Sequence, residues 1–154
     1  MPKAEISLMG RALRFLSRRE HSRQELRKKL LAYEQDPTQL EDLLDKLEKD
    51  KWLSNDRYAE SLVRRKSERF GALRIVDELK QQAISTETIE RLKMTLKESE
   101  PERAWSLWSK KYGPDIQSES KERAKQIRYL VGKGFSMDLV LKVVSGRYRP
   151  KIDE

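Results

Sequence analysis

Leu53–Leu79 reads LSNDRYAESLVRRKSERFGALRIVDEL. On a helical grid Tyr58, Ala59, Leu62 and Val63 recur at i, i+3 and i+4 and make one apolar stripe, with Arg57 and Arg64 pointing away from it. Phe70-Gly71 predicts a stop, with the glycine taking the left-handed conformation that ends a helix. A second helix follows at once, with Leu73, Ile75, Val76 and Leu79 apolar and Arg74 placed to pair with Glu78 one turn on. The stretch is thus two amphipathic helices about a tight corner, each in need of something to lie against.

The rest of the chain is written in the same style. A first helix is predicted over Ala4–Arg19, carrying Ile6, Met9, Leu13 and Leu16. Ser22-Arg23-Gln24-Glu25 is a capping box opening a second, which buries Leu26 and Leu30 and shows Arg23, Arg27 and Lys28 to solvent. Asp36-Pro37 opens a third, with Leu40, Leu43, Leu44 and Leu47 in its stripe. A hydrophobic residue followed by a capping serine then recurs at Leu53-Ser54, Ile84-Ser85 and Phe135-Ser136. Ser99-Glu100-Pro101-Glu102 reads as one more start, for a helix carrying Trp105, Trp108 and Tyr112 and closed by Gly113. The predicted starts, near 4, 55 and 100, near 22, 72 and 119, and near 37, 86 and 137, form three columns about 50 residues apart. The fold class predicted is all-α: nine helices in an elongated, curved tandem array of three three-helix repeats, at residues 1–53, 54–98 and 99–154. The rival is one irregular helical domain with coincidental spacing.

Composition agrees with many short, surface-rich helices. Of 154 residues 36% are hydrophobic and 39% charged, and mean hydropathy is -0.88; one large core is not expected. No cysteine is present, which excludes disulfides and thiolate chemistry. No apolar run approaches the roughly 20 residues that span a bilayer. The N-terminal MPKAEISLMGRALRF lacks the apolar core of a signal peptide, so a cytoplasmic protein is expected. The net charge of +8 is unevenly spread: residues 1–35 hold nine Lys/Arg against four Asp/Glu, residues 118–154 nine against five, and residues 36–53 are net acidic. Two basic ends favour an acidic partner such as nucleic acid, single-stranded or duplex, or an acidic protein surface.

Groups able to do chemistry are sparse. His21 is the sole histidine and is read as a polar residue before a helix cap, so no catalytic residue and no metal site is assigned. Gly132-Lys133-Gly134 lacks P-loop spacing and reads as a helix end. Ser118-Glu119-Ser120-Lys121 matches S-x-x-K by letter only. Glu41, Asp42 and Asp45 lie opposite a leucine stripe and are expected to be solvated. Trp105, Trp108 and Tyr112 have core spacing, although stacking on bases is their other use. Lys66 falls inside an apolar stripe, with its stem packed and its ammonium at the edge.

Leu53, Arg57, Tyr58, Ala59, Val63 and Arg64, then Gly71, Arg74, Ile75, Glu78 and Leu79, together with His21-Ser22, Glu25-Leu26-Arg27 and Lys29-Leu30, resemble the RecX family of RecA regulators. The corner Lys111-Tyr112-Gly113 and the joint Gly134-Phe135 also sit where that family has them, so the resemblance covers essentially the whole chain. Two departures stand out: Ser54-Asn55 replaces the usual pair of aspartates, and Ala83 replaces a glycine. The resemblance implies tandem three-helix repeats and a protein that binds the RecA filament on single-stranded DNA, within its helical groove. It also implies modulation, chiefly inhibition, of the filament's ATPase, strand-exchange and co-protease activities, without a cofactor or a catalytic site. The contact residues expected are Arg23 and Arg27 in the first unit, Arg57, Arg64 and Arg74 in the second, and Lys121, Arg128 and Lys133 in the third. A monomer is expected. The alternative is a direct DNA binder of helix-turn-helix type, reading through Arg23, Arg27 and Lys28.

Overall fold

The computed structural model describes residues 5–151. They form eight helices and no strand: α1 (Leu8–Arg18), α2 (Arg23–Leu30), α3 (Pro37–Lys49), α4 (Asn55–Lys66), α5 (Ala72–Gln81), α6 (Thr86–Tyr112), α7 (Ser120–Gly132) and α8 (Met137–Val144). Five begin alike: the hydroxyls of Ser7, Ser22, Ser54, Ser85 and Ser136 accept the N–H three residues on, satisfying a donor the helix cannot. Ser7 therefore sets the start of α1 at Leu8, while the expected start at Ala4 lies outside the described residues. Only half of the capping box at Ser22 is made. Glu25 turns its carboxylate to Arg19 (2.6 Å) instead of back to the cap.

The recurring hydrophobic-serine phrase marks three helix ends of one construction. Lys51, Ala83 and Gly134 take positive φ (66°, 54° and 100°). The next N–H, from Trp52, Ile84 and Phe135, then donates to the carbonyl five residues back, Leu47, Leu79 and Leu130; this Schellman turn uses otherwise orphaned carbonyls.

Three separate cores result. The first joins α1, α2 and α3 through Ala12, Leu26, Leu30, Leu44 and Leu47. In the second, Tyr58, Leu62, Ile75 and Leu79 of α4 and α5 meet Ile89, Leu92 and Leu96 of α6. Around the third, Ala104 and Trp108 of α6 pack with Leu130, Phe135, Val140 and Val143. The accessible surface is 10501 Å², against roughly 8,100 Å² for a compact monomer of 18.2 kDa. The array is all-α, three three-helix units in series.

One boundary differs from the sequence expectation. No helix starts at Ser99; α6 runs 27 residues with Pro101 inside it, so two predicted helices are one and the second and third units share it. At about 100° per residue the Ala104-Trp108 face is turned roughly a third of a turn from the Ile89-Leu92-Leu96 face, so one helix serves two cores. Proline removes the ladder hydrogen bond to the Lys97 carbonyl, and side chains support the neighbouring backbone. The Leu96 carbonyl accepts from Arg103 Nη2 (3.2 Å) and the Ser99 hydroxyl (3.4 Å).

Candidate basic-aromatic interface

Gly71 and Gly134 bring the second and third units into backbone contact. The Gly71 N–H donates to the Lys133 carbonyl (2.8 Å) and the Leu73 N–H to the Gly134 carbonyl (3.1 Å). A Cβ on Gly71 would stand 2.4 Å from the Gly134 backbone, and one on Gly134 2.5 Å from Arg74 Cβ. Contrary to the sequence expectation, Gly71 is not left-handed: its φ is -81° and it is the N-cap of α5. Close approach, not positive φ, requires glycine there. Arg103 of α6 locks the corner from beneath by donating to the Ser67 and Phe70 carbonyls (2.8 Å each) and contacting Ser99 Oγ. Burial lowers the pKa of Arg103, with Glu100 opposing.

This seam supports a run of cations over aromatic faces. Arg74 lies 4.0 Å from the Phe70 ring centre, and Lys133 and Lys66 each lie 5.3 Å from it. Lys133 also reaches the Tyr129 ring (5.5 Å), which Lys111 approaches to 4.4 Å. Tyr129 and Tyr112 meet edge to face at 5.7 Å. Ring quadrupoles stabilise each ammonium or guanidinium without neutralising it. Among the described residues Arg74, Lys111 and Lys133 have no carboxylate partner, and Lys66 has a long one, Glu78 at 3.9 Å. The expected Arg74-Glu78 pair is therefore replaced by Arg74 on Phe70 and Glu78 toward Lys66.

The other sequence-predicted contacts fall into two groups. Arg64, Lys121 and Arg128 are exposed and unpaired among the described residues. Arg23, Arg27 and Arg57 are engaged. Arg23 pairs with Glu41, Asp45 and Glu48 (2.7, 2.8 and 3.0 Å) and Arg27 with Glu41 (2.5 Å). Arg57 holds Glu20 (3.0 Å) and the Lys51 carbonyl (2.8 Å). The side chain of Arg23 is only 19% exposed, so α2 does not show it to solvent. Burial opposes its charge, but the hydrogen bonds to Glu41, Glu48 and Asp45 outweigh that and raise its pKa. Hydrogen bonds from Arg27 and then Arg23 hold Glu41 down to about 2. Glu41 and Asp45 are thus paired while remaining solvated, with side chains 40% and 68% exposed.

The first and second units meet differently, through polar groups. Ser22 Oγ donates to Gln82 Oε1 (2.5 Å), Gln24 Nε2 to the Gln81 carbonyl (2.8 Å), and the Arg23 N–H to Asn55 Oδ1 (2.8 Å). Ser54 caps its own helix, whereas Asn55 caps the helix of the unit before. His21 is 1% exposed, between Lys29 Nζ (2.8 Å from Nε2) and the Arg19 carbonyl (3.0 Å from Nδ1). Because lysine only donates, Nε2 must accept and Nδ1 carry the proton. Burial lowers the pKa of His21.

Among the aromatic residues Trp108 is core, its Nε1–H donated to buried Gln126 (2.8 Å), while Trp105 and Tyr112 are partly buried against the same core, Tyr112 also meeting Tyr129 at its edge. Lys66, Phe70, Lys111 and Tyr129 were not predicted contacts. Phe70-Gly71 and Lys111-Tyr112-Gly113 were visible as corners, but their meeting depends on the seam. No group of three or more His, Asp or Glu able to hold a metal ion occurs among the described residues, and no helix there is long and apolar enough to cross a membrane.

Three small cores in series with cations spread over an aromatic seam define a tandem-repeat protein that presents a long surface instead of an enclosed pocket. Three family models match in chain order: RecX, first three-helix domain, at residues 9–47; RecX, second three-helix domain, at 54–92; and RecX, third three-helix domain, at 98–144. The chain is 43% identical to the regulatory protein RecX of Ralstonia pickettii over 95% of its own length and 91% of that protein's. With that of Herminiimonas arsenicoxydans it shares 46% over 88% and 89%. A crystal structure of RecX from Lactobacillus salivarius superposes with a TM-score of 0.74 at 23% identity, covering 90% of this chain and 93% of that one. A second, of regulatory protein RecX, gives 0.73 at 26%, covering 88% and 69%. The chain belongs to the RecX family of regulatory proteins.

Proposed function

We propose that this protein is a non-enzymatic, monomeric, cytoplasmic regulator that binds the RecA filament on single-stranded DNA within its helical groove. There it inhibits ATP hydrolysis, strand exchange and co-protease activity, and so regulates recombination and repair. The observation that carries the reading is the seam, where Arg74, Lys111 and Lys133 sit on Phe70 and Tyr129 with no carboxylate to neutralise them. Cations held in place but unpaired within their own chain are suited to an acidic surface outside it. Arg64, Lys121 and Arg128 extend that charge along α4 and α7. Three units in series add weak contacts over several filament protomers into one avid attachment. The helix-turn-helix alternative is disfavoured, because two of its three reading residues, Arg23 and Arg27, are tied to Glu41.

Co-sedimentation with RecA filaments assembled on single-stranded DNA with a slowly hydrolysed ATP analogue tests the reading. The protein is expected in the filament pellet, and in smaller amount with bare DNA; recovery in the supernatant with filaments present refutes it.

A further inference from the structure

The first and second units share no core: Leu26, Leu44 and Leu53 belong to one cluster, Tyr58, Leu62 and Leu79 to the next. No helix of the first unit packs broadly on a helix of the second. Apart from the contact of Arg57 with Lys51 in the connecting turn, the side-chain hydrogen bonds across this junction come from residues 20–24. Glu20 accepts from Arg57 (3.0 Å), Ser22 donates to Gln82 (2.5 Å), the Arg23 N–H to Asn55 (2.8 Å) and Gln24 to the Gln81 carbonyl (2.8 Å). Open clefts flank the joint, one of about 330 Å³ between Gln24, Lys28, Lys29 and Gln82, the other of about 390 Å³ between Leu13, Leu16, Trp52 and Arg57. Such a joint has few bonds to break and room to turn in. In the middle of the segment stands His21, buried against Phe15 (6.0 Å between ring centres). It accepts from Lys29 through Nε2 and donates through Nδ1 to the Arg19 carbonyl.

We infer that this junction is a hinge latched by the neutral His21 ring, and that uptake of a proton by the ring opens it. A protonated imidazole has two donors and no acceptor, so its Nε2–H and the Lys29 ammonium would confront each other across the present 2.8 Å. The other charged and titratable groups around the ring are Arg19 with Glu25, Glu20 with Arg57, and Tyr58 of α4. Glu25 is already committed to a two-point pair with Arg19 (2.9 and 2.6 Å). The charged ring therefore needs water, and its chain neighbours Glu20 and Ser22, both pinned to the second unit, must move for it to reach any. An imidazole in water has its ordinary pKa, whereas burial lowers that of His21 in the closed form. The closed-to-open ratio therefore falls about tenfold for each pH unit below 6.5, until the lowered value is passed. The junction of the second and third units holds no such group and stays rigid through α6 and the Gly71-Gly134 contact. With the hinge open the first unit loses register with the other two, which weakens attachment to any partner that spans all three.

The chain has no cysteine, so pairs of spin labels can be placed on the full-length protein and their separation read by double electron–electron resonance. Labels at Gln39→Cys and Lys97→Cys lie across the hinge. Their distance distribution should shift and widen between about pH 7.5 and about pH 5, a window above the ordinary carboxylate range. The open fraction should grow about tenfold per pH unit below 6.5. Labels at Lys97→Cys and Lys125→Cys, within the second and third units, should show no change. His21→Gln keeps an acceptor for Lys29 and a donor for the Arg19 carbonyl without titrating, and should hold the narrow distribution throughout. Lys29→Gln, whose amide oxygen accepts from a protonated ring, should suppress most of the widening by an independent route. Circular dichroism should stay constant over the same range. A wild-type distribution that ignores pH overturns the inference, as does either glutamine variant that widens as wild type does. An equal change in the second pair of labels, or helix content lost in step with the widening, also overturns it, since the chain would then be loosening as a whole.

Discussion

Ala83 holds φ at 54°, a conformation that costs an L residue with a Cβ roughly 1 kcal/mol. Its N–H and that of Ile84 nevertheless complete the turn that ends α5. Ala83→Gly should stabilise the protein by up to about 1 kcal/mol, the relief of strain being partly offset by the freer unfolded chain; thermal unfolding followed at 222 nm measures it. The departure from the family glycine was legible in the sequence, and the positive φ explains why glycine is usual there. His21 supplies a prediction in pH. Its folded pKa lies below the ordinary 6.5 because the ring is buried, so below 6.5 the unfolded chain binds the proton more readily. The contribution is complete above pH 6.5 and is lost as pH falls through the lowered folded value. Glu41, held down to about 2, adds a second loss as pH falls from 4.5 toward 2. Denaturant titrations across pH should show His21→Gln removing the first dependence and Glu41→Gln the second.

At the scale of the element, α6 and the Gly71 corner carry the account. Ser99-Glu100-Pro101-Glu102 has every local mark of a helix start, and local reading has no means of knowing that two cores demand one continuous helix. Arg103 makes the continuity tolerable, serving carbonyls on α6 and on the Ser67–Phe70 turn. Arg103→Met takes its guanidinium donors from the Ser67 and Phe70 carbonyls, and should destabilise by about 1–3 kcal/mol in denaturant unfolding. Gly71→Ala forces a Cβ into backbone 2.4 Å away and should lose about 1–3 kcal/mol by the same assay, with amide exchange rising at Leu73 as the bond to Gly134 opens. The glycine was legible but its reason was not, because Gly134 lies 63 residues along the chain. The serine caps were legible for the opposite reason, each being settled within four residues.

In the whole molecule the two junctions differ. A shared helix, a glycine-glycine contact and Arg103 join the second unit to the third. Side-chain hydrogen bonds such as Ser22 to Gln82 join the first to the second. The three-unit plan was readable because each unit closes its core largely within its own stretch of sequence. The pairing state of the arginines was not readable, since Arg23 and Arg57 meet acids contributed by other elements. Residue type and helical phase alone made them look as free as Arg64. The account stands on the unpaired cations of the seam acting on the recombinase, and the rate of ATP hydrolysis by RecA on single-stranded DNA tests it most directly. The comparison is between wild type and the variant Arg74→Glu, Lys111→Glu, Lys133→Glu, with thermal unfolding matched. The account predicts that the reversed variant needs about tenfold or more protein for the same inhibition; inhibition at the wild-type concentration would contradict it.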